Sequence, residues 1–182
     1  YKSNITKVSI YKRQWLGSWG YLDFHANAQA QWNKVPFQML IMPPINLSYF
    51  EQEETVSMMK DWEFLNDRQV FWALSWDMNG KLLNRIPLIK KLKWREWFAI
   101  KGVYGHLTDK NNPFLEKNKN DDTIFLFPKG SDIMGNTPYW ECVVGVHNIF
   151  KFFAVEYVRR LTYINRPGIH KGGVRFNFMM SF

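Results

Sequence analysis

The stretch Gly20-Tyr-Leu-Asp-Phe-His-Ala-Asn-Ala-Gln-Ala-Gln-Trp32 alternates without a break. Leu22, Phe24, Ala26, Ala28, Ala30 and Trp32 fall on one side, and Tyr21, Asp23, His25, Asn27, Gln29 and Gln31 on the other. Successive side chains of a strand point to opposite faces, so this period of two predicts a strand with unlike faces. In a soluble sandwich the polar face meets bulk water; in a barrel it lines the lumen. Trp32 closes the apolar side, where an interfacial aromatic would sit.

The same period recurs along the chain. Val70, Trp72, Leu74, Trp76 and Met78 alternate with Phe71, Ala73, Ser75 and Asp77. Segment 139–147 aligns Trp140, Cys142, Val144 and Val146. Segment 153–163 sets Val155, Tyr157, Leu161 and Tyr163 against Glu156, Val158, Arg160 and Thr162. Arg159 then lands on the apolar side, which either a snorkelling side chain or a β-bulge accommodates. The last segment sets Val174, Phe176, Phe178, Met180 and Phe182 against Arg175, Asn177, Met179 and Ser181. Weaker strands are predicted at 4–14, 46–58 and 94–107, giving about eight in all. Their length, roughly ten residues, suits a tilted membrane strand better than the usual five or six of soluble sheets.

The connections are uneven. Residues 110–137 are long and polar, 165–173 carry Arg-Pro-Gly and Gly-Gly, and 38–46 are apolar but broken by Pro43-Pro44. Asn79-Gly80 marks a tight turn before the basic stretch Lys81 to Lys93, and Gly17 to Gly20 suits a hairpin. With the C-terminus on the periplasmic side, strand parity puts 165–173, 108–137, 59–67 and 15–19 outside. The same parity puts 148–152, 79–93 and 33–45 in the periplasm. The basic stretch reads either as a docking or lipid-head-group element or as a solvated connection.

Composition sets the outer bounds. Of 182 residues, 18% are aromatic, a load that calls for membrane girdles or base-stacking platforms. The net charge of +8 suits nucleic acid, anionic lipid or an acidic partner. One cysteine rules out an internal disulfide, and no apolar run is long enough for a transmembrane helix. A mean hydropathy of −0.35 is compatible with a barrel, whose alternate residues are polar. Histidines 25, 106, 147 and 170 lack metal-ligand spacing, and neither a nucleophile elbow nor a phosphate loop is present.

Several segments in order resemble a Gram-negative outer-membrane family of unknown function with an N-terminal carboxypeptidase-regulatory-like domain and a C-terminal barrel. These are Val35-Pro-Phe with Met42-Pro-Pro, Trp62-Glu-Phe-Leu-Asn-Asp-Arg, Asn79-Gly, and Leu83-Asn-Arg-Ile-Pro-Leu-Ile-Lys-Lys-Leu-Lys-Trp-Arg-Glu. Val103-Tyr-Gly, Gly145-Val-His-Asn-Ile-Phe-Lys-Phe-Phe, Arg160-Leu-Thr-Tyr and the terminal strand complete the set. The barrel resembles those of surface-antigen and outer-membrane assembly factors. The resemblance implies a signal peptide, a regulatory-like domain and further strands ahead of residue 1. It brings no catalytic residue.

The expectation is therefore an all-β chain: one domain, 1–182, forming the C-terminal part of an antiparallel transmembrane β-barrel. Asp23, His25, Asn27, Gln29, Asp77, Glu156, Arg160, Arg175 and Asn177 are expected to face the lumen. Leu22, Phe24, Trp72, Leu74, Trp76, Val144, Val155, Val174, Phe176, Phe178 and Met180 are expected to face lipid. Phe176, Phe178 and Phe182 would form the C-terminal signal read by barrel-assembly machinery. Expected partners are outer-membrane lipid, that machinery and a periplasmic domain, with no nucleic acid, cofactor, metal or enzyme activity. The role would be transport across, or assembly of, the outer membrane. Its rivals are a soluble basic β-protein binding nucleic acid or polysaccharide through Trp72, Trp76 and Phe178, and an outer-membrane lipase using His147.

Overall fold

The computed structural model describes residues 2–50 and 52–178. Seven strands form a single antiparallel sheet in chain order: β1 (Ile5–Trp15), β2 (Tyr21–Gln31), β3 (Arg68–Asp77), β4 (Arg95–His106), β5 (Tyr139–Ile149), β6 (Phe153–Arg160) and β7 (Gly172–Phe178). Among the described residues each strand pairs with its sequence neighbour, and the sheet does not close on itself. The chain is thus all-β; among the described residues the helices are single turns, of which one, α1 (Pro87–Lys90), is α-helical and the others are 3-10. No helix among the described residues is long and apolar enough to cross a membrane. Met180 and Phe182 lie outside the described residues.

Among the described residues, no strand forms at 46–58, where one was expected. Residues 32–67 instead form one long connection between β2 and β3, held by turns and bonds within itself and by bonds to the sheet. Asn46 folds back on itself, its side chain accepting from Ser48 N at 2.9 Å and donating to Phe50 O at 2.5 Å. Thr55 N donates to Gln52 O at 3.2 Å, and Val56 N to Pro44 O at 2.8 Å. Losing a strand regroups the ends of the sheet. The connections 16–20, 78–94 and 150–152 share one end, and 32–67, 107–138 and 161–171 share the other. Segment 15–19 therefore sides with 79–93, and 33–45 sides with 108–137, contrary to the parity read from the sequence.

The buried core does not lie on the apolar strand face. It lies on the opposite, inner face, where residues 32–67 fold across the sheet. Phe71, Val103 and Tyr139 from the strands meet Val56, Met59 and Phe64 from the connection. Beside them Trp97, Val143 and Val158 enclose Met58. The inner face is thus a mixture of apolar and charged side chains under a cover.

The register is regular across β1 to β4. A bulge interrupts β5–β6 only between Val146 and Ile149, where Asn148 takes φ 61°. Arg159 pairs in regular register with Cys142, so no bulge rescues it, and it projects outward next to the end of β6. Gly20, at φ 78°, closes the β1–β2 hairpin, and a Cβ there would strike Asp77 O. Gly102 opens a slot on the outer face for the indole of Trp72, which stands 5.1 Å from Trp140.

The two sheet edges differ. All eleven residues of β1 are exposed. The edge of β7 is partly covered, with Phe176 N donating to Tyr49 O at 2.8 Å.

Candidate functional site

Strand alternation and register place a row of charges across the inner face. Lys101 on β4 lies opposite Glu141 on β5, and Glu141 opposite Arg160 on β6. All three side chains are fully buried, in the order plus, minus, plus. Charges removed from water this completely need partners, and residues 52–63 supply them. Lys101 Nζ donates to Gln52 O at 2.8 Å and Thr55 O at 2.9 Å. Glu141 accepts from Ser57 N at 2.9 Å, Met58 N at 3.1 Å and the Tyr139 hydroxyl at 2.9 Å.

Arg160 is the most heavily engaged. Its guanidinium makes a fork to Glu63, at 2.9 and 2.6 Å, and donates to Thr162 O at 2.9 Å. Its planar group also lies 4.9 Å from the Tyr139 ring centre. Such a two-pronged bond fixes orientation as well as charge. Arg166 approaches the same Glu63 carboxylate at 3.6 Å.

A second inner row runs Trp97, Gly145, Glu156 and Arg175. His147 Nε2 bonds Glu156 at 2.7 Å and its ring stacks on Trp97 at 5.2 Å. His147 is a buried residue of β5, ahead of the bulge at Asn148. Its Nδ1 has no partner among the described residues, nor do Glu156 Oε2 and Arg175 Nε. Arg175 Nη2 donates to Ser57 O at 3.0 Å, so β7 also grips the connection.

Towards β1 the inner face pairs sideways. Arg13 forms a two-pronged bond to Asp23 at 2.7 and 2.6 Å, joined by the Tyr11 hydroxyl at 3.1 Å. Asn27 donates to Ser9 at 2.7 Å and accepts from Gln29 at 2.9 Å. The long connections are fastened to one another as well. Asp67 accepts from Thr108 N at 3.0 Å and Asn111 Nδ2 at 2.9 Å, while Asn111 Oδ1 accepts from Val35 N at 2.9 Å. Lys34 pairs with Asp121, and that ammonium, with Thr123, holds the Asp121 carboxyl down at about 2.

Of the polar residues singled out from the sequence, Asp23, Asp77, Glu156 and Arg160 are buried on the inner face. His25, Asn27, Gln29, Arg175 and Asn177 are half-buried on the same face. The apolar set Leu22, Phe24, Trp72, Leu74, Trp76, Val144, Val155, Val174, Phe176 and Phe178 shares the opposite, outer face. There Val8, Phe24, Leu74, Ile100, Val144, Tyr157 and Val174, one from each strand, are 39–56% exposed.

Sequence reasoning missed Lys101, Glu141 and Glu63. Lys101 was visible as a lone cation alternating with Trp97, Ala99 and Val103, and Glu141 as a lone anion between Trp140 and Cys142. Glu63 gave no periodic signal, because it lies in the connection. Among the described residues no three His, Cys, Asp or Glu side chains converge as a metal site would require. Compared with protein-family models, curated proteins and solved structures, the chain matches none of them.

Proposed function

We propose that this chain is wall of a Gram-negative outer-membrane β-barrel, acting in transport across that membrane or in assembly of its components. The observation that carries the proposal is the inversion of the sheet. Along the middle of the strands its outer face is apolar and open, while its charged face is covered over β3 to β7, where most of the buried charges are paired. A water-soluble protein of this size rarely leaves so broad an apolar surface uncovered. Lipid chains would cover it without further structure.

Dimensions agree. The eleven residues of β2 extend roughly 36 Å, and a tilt of about 45° projects this to roughly 25 Å, the height of a barrel's apolar band. Trp19 marks one end of the β1–β2 hairpin and Trp32 the other, each at least 40% exposed. The exposed Lys and Arg side chains of the outer face, Lys12, Arg68 and Arg159, lie towards strand ends, from which long basic side chains reach head groups.

The nucleic-acid alternative needs cations interleaved with stacking aromatics. Around Trp72 and Trp76 the outer neighbours are Leu74, Phe98, Gly102 and Trp140, which favours lipid. Under this proposal residues 32–67 act as an inward plug over β3 to β7. The uncovered polar inner surface of β1 and β2 is then the side open to a solute or a client strand.

The purified chain should stay dispersed only with detergent, and should enter phosphatidylcholine vesicles so firmly that alkaline carbonate does not strip it. A monomer that remains soluble without detergent would overturn the proposal.

A further inference from the structure

The end of the sheet formed by 16–20, 78–94 and 150–152 differs in kind from the other. These three connections contain six Lys or Arg residues and no Asp or Glu. The acidic residues of the neighbouring strand ends are occupied. Glu96 is buried and accepts from Leu82 N at 2.6 Å, and Asp77 is buried and accepts from Asn79 N at 2.7 Å. Nothing in these connections offsets the positive charge.

The three segments are tied into one collar. Lys81 Nζ donates to Ser18 at 3.0 Å and lies 5.2 Å from the Trp19 ring centre. Asn148 Nδ2, near the end of β5, donates to Lys93 O at 2.7 Å, joining the strand end that leads into 150–152 to the basic stretch. Interspersed with the cations stand large apolar side chains pointing into solvent: Leu88 at 78%, Phe150 at 80%, Leu92 at 51% and Ile86 at 47% exposed. Apolar side chains beside unopposed cations, continuous with an apolar sheet face, form the pattern of a surface that lies in a lipid head-group layer.

We infer that this collar binds the phosphate head groups of anionic phospholipid in the leaflet it meets, with Arg85, Lys90, Lys91, Lys93 and Lys151 as the contacting cations. The inference rests on the membrane proposal above and names the lipid class recognised at one rim. Leu88, Leu92 and Phe150 would seat between acyl chains just beneath the phosphates.

The test reconstitutes the whole chain in phosphatidylcholine vesicles carrying a trace of spin-labelled phosphatidylglycerol or spin-labelled phosphatidylcholine. The fraction of each label immobilised at the protein is read by electron paramagnetic resonance. The anionic label should associate about fivefold more strongly, and the preference should fall on raising salt. Changing Arg85, Lys90, Lys91, Lys93 and Lys151 together to Gln should bring the two labels to parity, while Lys117→Gln with Lys119→Gln at the other end leaves the preference intact. Equal association of both labels with the unaltered chain overturns the inference and leaves the collar to an acidic protein. An equal loss in the Lys117/Lys119 variant also overturns it, since net charge alone would then be read. Failure to enter neutral vesicles at all counts against the membrane proposal and is seen before any label is compared.

Discussion

The two faces of one sheet have opposite economies. On the outer face, apolar side chains from all seven strands are open and touch one another only along the surface. On the inner face, Lys101, Glu141 and Arg160 are buried as completely as the innermost residues of the hydrophobic core, and each is bonded to atoms of residues 52–63. In water, stability runs the other way: apolar groups go inside and charges stay out. The difference teaches that the inner face is specified by the protein's own contacts, whereas the outer face is left to whatever surrounds it, which under the membrane proposal is lipid.

The largest effect should come from breaking the inner face. Arg160→Met strips the fork from Glu63 and leaves that carboxylate with the Lys60 N–H at 3.0 Å and, as its nearest cation, the more distant Arg166 at 3.6 Å. Unfolding stability in detergent should drop by about 3–5 kcal/mol, and Glu63→Gln added to Arg160→Met should restore a good part of it. A loss under about 1 kcal/mol would mean that the buried row does not hold the connection in place.

Next comes the outer face. Val144→Arg places a charge between Phe98 and Tyr157. In vesicles it should destabilise the chain by about 2–4 kcal/mol, by urea titration. If water covers this face, the same change is worth within about 0.5 kcal/mol, as surface substitutions usually are.

The smallest effect concerns the fastening of the long connections. The Asp121 carboxyl is depressed below its ordinary value, so the stabilisation from Lys34–Asp121 is full above the unfolded value near 4. It is lost as pH falls through about 2. A carboxyl titration followed by nuclear magnetic resonance should give a midpoint near 2 for Asp121. Lys34→Gln should raise it towards the ordinary value. A midpoint already near 4 in the unaltered chain would show that the two connections are not fastened there.

Much of the sheet was legible because alternation is a local property. Residues 21–31 declare both faces of β2 without reference to anything distant. The connection at 46–58 was misread because its course depends on groups far away, such as the Glu141 carboxylate that holds Ser57 N across 84 positions. Lys101 and Glu141 each stand alone in an apolar run, and only register shows that they are neighbours. Arg159 posed the reverse problem. The sequence flagged it as out of phase, and the regular β5–β6 register keeps it outward, so it marks a boundary of the apolar face.

The contrast between the faces can be read at one native atom. Cys142, the sole cysteine, lies on the outer face between Ile100 and Arg159, and is half-buried. A small fluorophore attached there, with the chain in phosphatidylcholine vesicles, should be quenched strongly by spin-labelled acyl chains and barely by aqueous iodide. Efficient quenching by iodide, with no response to the lipid-borne quencher, would contradict the account.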